Sequence, residues 1–283
     1  SRPERRFLVV SSIQCPCRYS VSINTYCQAV QVAQEWPVAK SKKTDVSPVW
    51  SRPEPEERPA PAPLSRDKIV RAAIAIADEQ GLDAVSLRNV AAKLRAGPMR
   101  LYTYTSTKAG LIDLMIDDLY RELHESGPLS GDWQRVLRAF AYRLRELSRQ
   151  HPWFPTLLGG RPHPGPHALL FYERLLAAVQ VTVPSLPTAL AAVRVMNAWA
   201  VGAIHIEAND FAAERATGLD EQAWQQARWP WLQEQLRTGA FPTMSRIVHE
   251  VEHDTPDAIF AHGLGCVLDG LAVQLPPVLH AAR

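Results

Sequence analysis

From residue 65 onward the chain alternates between runs with helical apolar spacing and short polar or proline-containing breaks. Ile69, Ala72, Ala73, Ile76 and Ala77 recur at the three- and four-residue spacing of one helix face, and Val70 and Ile74 widen it. Ser65 supplies an N-cap and Asp67 a first-turn negative charge. Gly81, followed by apolar Leu82, ends the run. A second helix, of about two turns, opens at the N-cap Ser86 and carries Leu87, Val90, Ala91 and Leu94. A third unit covers 97–104, with Pro98 at the first helical position, where its missing N–H costs nothing. A fourth helix is predicted from about 107 to 123. Further helices are predicted over 133–150, 165–180, 188–213, 220–237, 241–253 and 256–274. No strand-like alternation and no internal repeat is visible. The predicted fold class is all-α, an N-terminal helix-turn-helix three-helix domain followed by a helical bundle.

The 283 residues suggest about two domains, and 46% hydrophobic residues suffice for a sizeable core. Residues 1–63 read as an N-terminal extension ending in a stiff linker, because Pro48, Pro53, Pro55, Pro59, Pro61 and Pro63 are crowded among charges. The predicted division is therefore 1–63, a small domain over 64–110, and a larger one over 111–283. The most apolar stretch, 190–206, is interrupted by Arg194, Asn197 and His205. A membrane span needs about 20 mostly apolar residues, so no membrane partner is expected. Arg5-Arg6 before Phe7–Val10 is too short an apolar run for a signal peptide. Cys15, Cys17 and Cys27 have no further Cys or His before His124 to complete a metal site. A reduced, cytoplasmic protein without metal or cofactor is the expectation.

Charge distribution sharpens this picture. Residues 64–108 carry 8 Lys and Arg against 4 Asp and Glu, whereas 109–283 carry 14 against 19. A compact basic module beside an acidic body suggests a polyanion-binding head. Three helices at this spacing form a helix-turn-helix, whose second short helix enters the major groove of double-stranded DNA. Arg100 and Thr103 can face outward while Leu101 points in, and Arg100 has the fork to reach guanine O6 and N7. Tyr102 and Tyr104 offer hydroxyls at the groove edge. Arg88 and Lys108 sit in first turns of helices, where a cation and the helix N-terminus can share a phosphate.

The run Ser65-Arg-Asp-Lys-Ile-Val-Arg-Ala-Ala, then Gly81-Leu-Asp-Ala-Val-Ser-Leu-Arg-Asn-Val-Ala-Ala-Lys-Leu94, resembles the DNA-binding domain of the tetracycline-repressor (TetR/AcrR) family. The spacing of Leu101-Tyr102, Lys108 and Leu111 is similar too, and Phe260–Leu271 resembles the final helix of that family's C-terminal domain. The resemblance implies a homodimer that binds a palindromic operator and releases it when a small-molecule effector enters the C-terminal domain. Matching positions imply DNA contacts at Arg88, Met99, Arg100, Tyr102, Thr103, Tyr104 and Lys108. The sequence departs from the pattern at Arg95, where the family usually has Gly. Either Arg95 takes a left-handed conformation at a cost of roughly 1–2 kcal/mol, or the turn is displaced and Gly97 takes it.

The effector site is expected in an apolar cavity with a few polar anchors. Trp199, His205, Glu207 and Asn209 interrupt the apolar run of 188–213, and Trp153, Phe154, Phe171 and Tyr172 are candidates to line the same space. A dimer interface is expected from two stripes, Ala192, Val195, Met196, Trp199 and Ala203 on one helix, and Phe260, Leu264, Val267, Leu268 and Leu271 on another. One rival motif is present. His249-Glu250-Val251-Glu252-His253 reads H-E-x-x-H, as in zinc hydrolases. Pro256 soon ends that helix, Glu252 is charged, and no third ligand follows at a recognised spacing, so a solvated helix end is the simpler reading. An interaction module without DNA binding is the other alternative. No Ser/His/Asp or Cys/His constellation and no phosphate-binding Gly loop is present, and an enzyme is not expected.

Overall fold

The computed structural model describes Trp50 and residues 64–160, 165–251 and 254–275. All of these lie in one compact unit spanning 40–283. The extension read over 1–63, apart from Trp50 and with Cys15, Cys17 and Cys27, lies outside the described residues, as does His253.

Ten α-helices occur among the described residues, and no strand. They are α1 (Arg66–Gln80), α2 (Leu87–Lys93), α3 (Pro98–Leu101), α4 (Lys108–Glu125), α5 (Trp133–Gln150), α6 (Pro166–Gln180), α7 (Leu186–Thr217), α8 (Glu221–Arg237), α9 (Pro242–Glu250) and α10 (Pro256–Gln274). Most begin where a side chain can take an orphan backbone donor. Ser65 accepts from Lys68 N, Ser86 from Asn89 N, Thr107 from Gly110 N and Asp132 from Arg135 N. Two 3₁₀ turns, Leu82–Ala84 and Phe154–Leu157, carry no periodic signal that sequence could show. Helix α7 is longer at both ends than predicted, and α9 stops at Glu250 rather than 253.

Helices α1 to α3 form a small head on the N-terminal part of α4. The rest of α4 packs on α6, α5 packs on α7, and α10 lies along α7. The boundary read at residue 110 therefore falls inside one continuous helix. Trp133, Phe140, Phe154 and Phe171 are among the largest wholly buried side chains. Each such burial stabilises the bundle by about 1.5–3 kcal/mol. Phe171 sits in an aromatic cluster with Phe140, Tyr120 and Tyr172.

Asp117, buried on α4, fixes the α4–α6 contact. Its Oδ1 accepts from His167 N and Ala168 N, each at 3.0 Å, so a carboxylate from another helix caps α6. Gly165 is required at this approach, since a Cβ there would stand 2.1 Å from Asp117 Oδ1. Burial pushes the Asp117 carboxyl above its ordinary range, and the two backbone N–H groups pull the other way.

Apart from Val195, the two stripes read as a dimer interface face inward instead. Ala192, Met196, Phe260, Leu264 and Leu268 are buried within the chain, and Trp199 stacks against Phe260 at 4.9 Å. Sequence periodicity located the apolar surface but could not tell how much of it a single chain covers by itself. What remains outward on α7 is Ala191, Val195, Ala198, Gly202 and Ile206, and on α10 Ile259, His262, Cys266, Gly270 and Val273. By length and hydropathy alone both helices could cross a membrane, contrary to the reading of 190–206. In this fold each lends one side to the bundle.

Two outcomes are expected for Asp117. Asp117→Ala leaves two α6 donors without their acceptor and costs about 1–3 kcal/mol in thermal melts. Asp117→Asn keeps the acceptor oxygen and removes the titration. Because the folded carboxyl binds its proton more readily than the unfolded one, the wild type gains stability as pH falls from neutral toward its unfolded value of 3.8. The stability of the Asn variant relative to the wild type therefore declines over that range.

Candidate nucleic-acid interface and effector groove

In the head, Val85, Val90, Ala91 and Leu101 are buried where α2 packs on α1 and α3, which leaves the other faces of α2 and α3 outward. Met99 is 76% exposed and Tyr102 50% exposed, and Arg88, Arg100, Thr103 and Lys108 are exposed as well. Six of the seven expected DNA contacts thus lie on the surface of the head. Thr103 Oγ1 donates to the Arg100 carbonyl at 2.7 Å and keeps its lone pairs for an outside donor. The Lys108 ammonium donates to the carbonyls of Leu82 and Asp83 at 3.3 and 3.5 Å, tying α4 to the 3₁₀ turn.

Tyr104 is the correction. It is buried, and its hydroxyl donates to the Leu64 carbonyl. Three residues after Leu101, it falls on the same inward stripe and anchors the chain entering α1 rather than facing a groove.

The turn between α2 and α3 keeps the geometry that demands a left-handed residue. Arg95 has φ +50°, while Gly97 does not take the unusual conformation. Ala96 N donates to Ala91 O and Arg95 N to Ala92 O, the two bonds of a Schellman ending.

The eight residues read as an effector site do not converge. Trp153 is buried on the head side, donating its indole N–H to Asp78 Oδ1 at 2.7 Å. Phe171 and Tyr172 pack with Tyr120 between α4 and α6, where burial pushes both phenols above their ordinary range. Trp199 covers Phe260, Asn209 is exposed, and His205 Nε2 donates to the Pro155 carbonyl at 2.6 Å. Ordinary packing accounts for each aromatic, because large side chains in a bundle go where neighbouring helices leave space.

A cavity of about 560 Å³ opens instead between α5, the Phe154–Leu157 turn and the C-terminal half of α7. Pro152, Pro155, Ile204, Ala208 and Phe211 make its apolar wall. Of the eight candidates only Glu207 lines it, although His205 holds its Pro155 edge. Its polar wall is an ion network of which sequence reading picked out Glu207 but not its partners. Arg145, with a side chain only 5% exposed, and Arg149 each pair with both Glu207 and Asp257. The Arg145 guanidinium also lies 4.3 Å from the centre of the Phe260 ring. Hydrogen bonding from Arg149 holds the Asp257 carboxyl below its usual range. Arg145 and Arg149 at i and i+4, with Glu207 inside an apolar run, were the available signals.

His249 Nδ1 donates to the Ser245 carbonyl, and Glu250 is paired with Arg246. Helix α9 ends at Glu250, and the motif's second histidine, His253, lies outside the described residues. Among the described residues no group of three or more His, Cys, Asp or Glu is placed to hold a metal.

Residues 127–275 match the family described as Tetracyclin repressor-like, C-terminal domain. The chain is also 34% identical over 220 residues to the HTH-type transcriptional repressor DrrR1 of Streptomyces coeruleorubidus, covering 77% of this chain and 81% of that protein. The chain belongs to the tetracycline-repressor family. Among solved structures of this family, the regulator SCO7222 of Streptomyces coelicolor superposes with a TM-score of 0.60 at 25% identity, over 76% of this chain and all of that one. ActR of Streptomyces coelicolor, in complex with actinorhodin, gives 0.61 at 22%, over 76% and 99%. This tetracycline-repressor-family chain is thus a transcriptional regulator rather than an enzyme. The resemblance read from the head and the final helix is borne out by these matches.

Arg95→Gly is expected to raise the melting temperature, by the equivalent of up to about 1–2 kcal/mol. Gly97→Ala is expected to be near neutral, since nothing lies within 4 Å of the added Cβ. The reverse ranking in thermal melts would show that the turn has the displaced geometry.

Proposed function

We propose that the chain acts in the cytoplasm as a homodimer on a palindromic operator, with α3 in the major groove. Arg100 reads a guanine edge, Met99, Tyr102 and Thr103 form the rest of the reading face, and Arg88 and Lys108 hold phosphates. The observation that carries this reading is the outward display of these side chains beside the buried Leu101, on a head whose 45 residues bear a net positive charge of 4. The two outward apolar faces of α7 and α10 pair with those of a second copy. A two-fold axis there sets the two α3 helices about one DNA turn apart, ~34–36 Å.

The effector in this proposal is a flat, largely apolar molecule with polar edges, held in the groove between α5 and α7. The apolar wall takes its faces, and Arg149, Arg215 and Glu214 at the rim take its polar groups. The ActR complex with actinorhodin supports a small-molecule ligand on this fold.

Selection of bound sequences from random duplex DNA tests the proposal, and an enriched palindrome is the expected result. On that sequence Arg100→Ala should cost roughly 1–3 kcal/mol and relax preference at one base pair per half-site. Lys108→Ala should weaken all sequences alike and flatten the salt dependence. Val195→Asp with Ile206→Asp, both on the outward face of α7, should give a folded monomer in sedimentation that binds the palindrome poorly. A tight complex of that monomer with the full palindrome would exclude this interface.

A further inference from the structure

The seven residues from His151 to Leu157 touch both the groove and the head. Pro152 and Pro155 belong to the apolar wall of the groove, and the Pro155 carbonyl accepts from His205 of α7. The residues between them turn the opposite way. Trp153 Nε1–H donates to Asp78 Oδ1 at 2.7 Å, and His151 Nδ1–H donates to the same oxygen at 2.8 Å. His151 Nε2 stands 3.6 Å from Glu122 on α4. Asp78 lies in the last turn of α1, so one carboxylate oxygen of the head receives two donors from the body. Trp153 and His151 are both buried, while the Asp78 side chain stays about one-third exposed, 31%; both bonds end on a carboxylate, which makes them charge-assisted. The segment is short and stiff. Two prolines fix φ, and Phe154 N closes a turn onto the His151 carbonyl at 2.8 Å.

From this geometry we infer that Asp78 is the positioning residue that holds the reading head at its DNA-binding angle, and that filling the groove acts on the head through Asp78. The second half rests on the groove being the effector site. A molecule wedged against Pro152 and Pro155 displaces their immediate neighbours, His151 and Trp153. The head then loses the contacts that fix its orientation on the body. Operator binding requires two heads at a set separation, so freedom of orientation lowers affinity without changing any DNA contact.

The test uses the full chain, the selected operator, and a substitution that stands in for a ligand. Ala208 lines the groove from α7, and Ala208→Trp puts an indole into it. Operator affinity is measured by fluorescence anisotropy for the wild type, D78A, D78N, W153F, A208W and the double variant D78A/A208W, with circular dichroism confirming helix content. D78A and A208W are each expected to lower affinity roughly 5–150-fold, the range of an ordinary allosteric coupling. The double variant should be no weaker than the weaker single one, because both act through the same contact. D78N should stay near wild type, since its amide oxygen still accepts from both donors. W153F should resemble D78A while keeping an aromatic ring in place. In ¹⁵N-labelled protein, the indole N–H signal that W153F removes should shift in A208W. Unchanged operator affinity in both D78A and W153F would overturn the positioning role. Multiplying effects in the double variant would overturn the route through Asp78. If A208W alone altered neither affinity nor the Trp153 signal while D78A did, the groove would fail as the effector site and the positioning role of Asp78 would stand.

Discussion

One helix, α4, is packed into two cores at once, and the rest of the molecule depends on that double burial. Leu111, Leu114, Met115, Ile116, Leu119 and Leu123 are all buried along its eighteen residues. Its N-terminal end closes the head against α1, and the remainder packs on α6, with Asp117 capping the partner helix. A helix so constrained cannot bend freely between head and body, because each turn along it is held by close-packed neighbours. The two are therefore joined by a rigid rod whose N-terminal ammonium, on Lys108, is itself tied to the head at Leu82 and Asp83. Any difference in head orientation must come from sliding or tilting at the packed faces.

Charge inside the body sets the second constraint. Arg145 is almost wholly buried, and such a cation is tolerated only when paired and hydrogen-bonded. Glu207 and Asp257 supply the pairing and the Pro256 carbonyl a further acceptor. These partners come from α7 and the start of α10, so the network fastens three helices at the wall of the groove. A well-packed apolar set would stabilise that junction as well or better. What the ions add is a polar edge beside an apolar wall, the combination a selective small-molecule site needs.

Much of the fold was legible because its signals are local. Ser65 and Ser86 each cap the helix their position suggested, and Trp133–Gln150 and Pro256–Gln274 begin and end where the periodicity placed them. The reading face was legible for the same reason, since Leu101 fixes which residues of α3 turn outward. Tyr104 was misjudged because its spacing from Leu101 was weighed less than its hydroxyl. The groove was barely legible, with Glu207 the one candidate that lines it. Its walls come from segments far apart along the chain, and no local pattern distinguishes an aromatic residue that lines a cavity from one that fills a core. The hydrogen bonds of Asp78 were hidden likewise, across a separation of more than seventy residues.

The apolar surface left outside the bundle follows from these constraints. Helices α7 and α10 bury one side against α5, α6, the Phe154–Leu157 turn and each other, and their opposite sides meet no further helix among the described residues. Val195, Ile206, Ile259 and Val273 are each about half exposed or more. Helices α8 and α9 go further and bury no residue, though they carry Trp224, Trp229, Trp231 and Met244, with Phe241 just ahead of α9. Exposed apolar area of this extent is not a resting state for one chain in water, since each side chain left out forgoes about 1.5–3 kcal/mol of burial. A second copy covers such surface most economically when both chains use the same face, as two-fold symmetry dictates. In the proposed dimer the helix that lines the groove, α7, also lines the interface, and its His205 reaches the segment that holds Asp78. Groove, interface and head orientation are in this way three aspects of where one 32-residue helix sits.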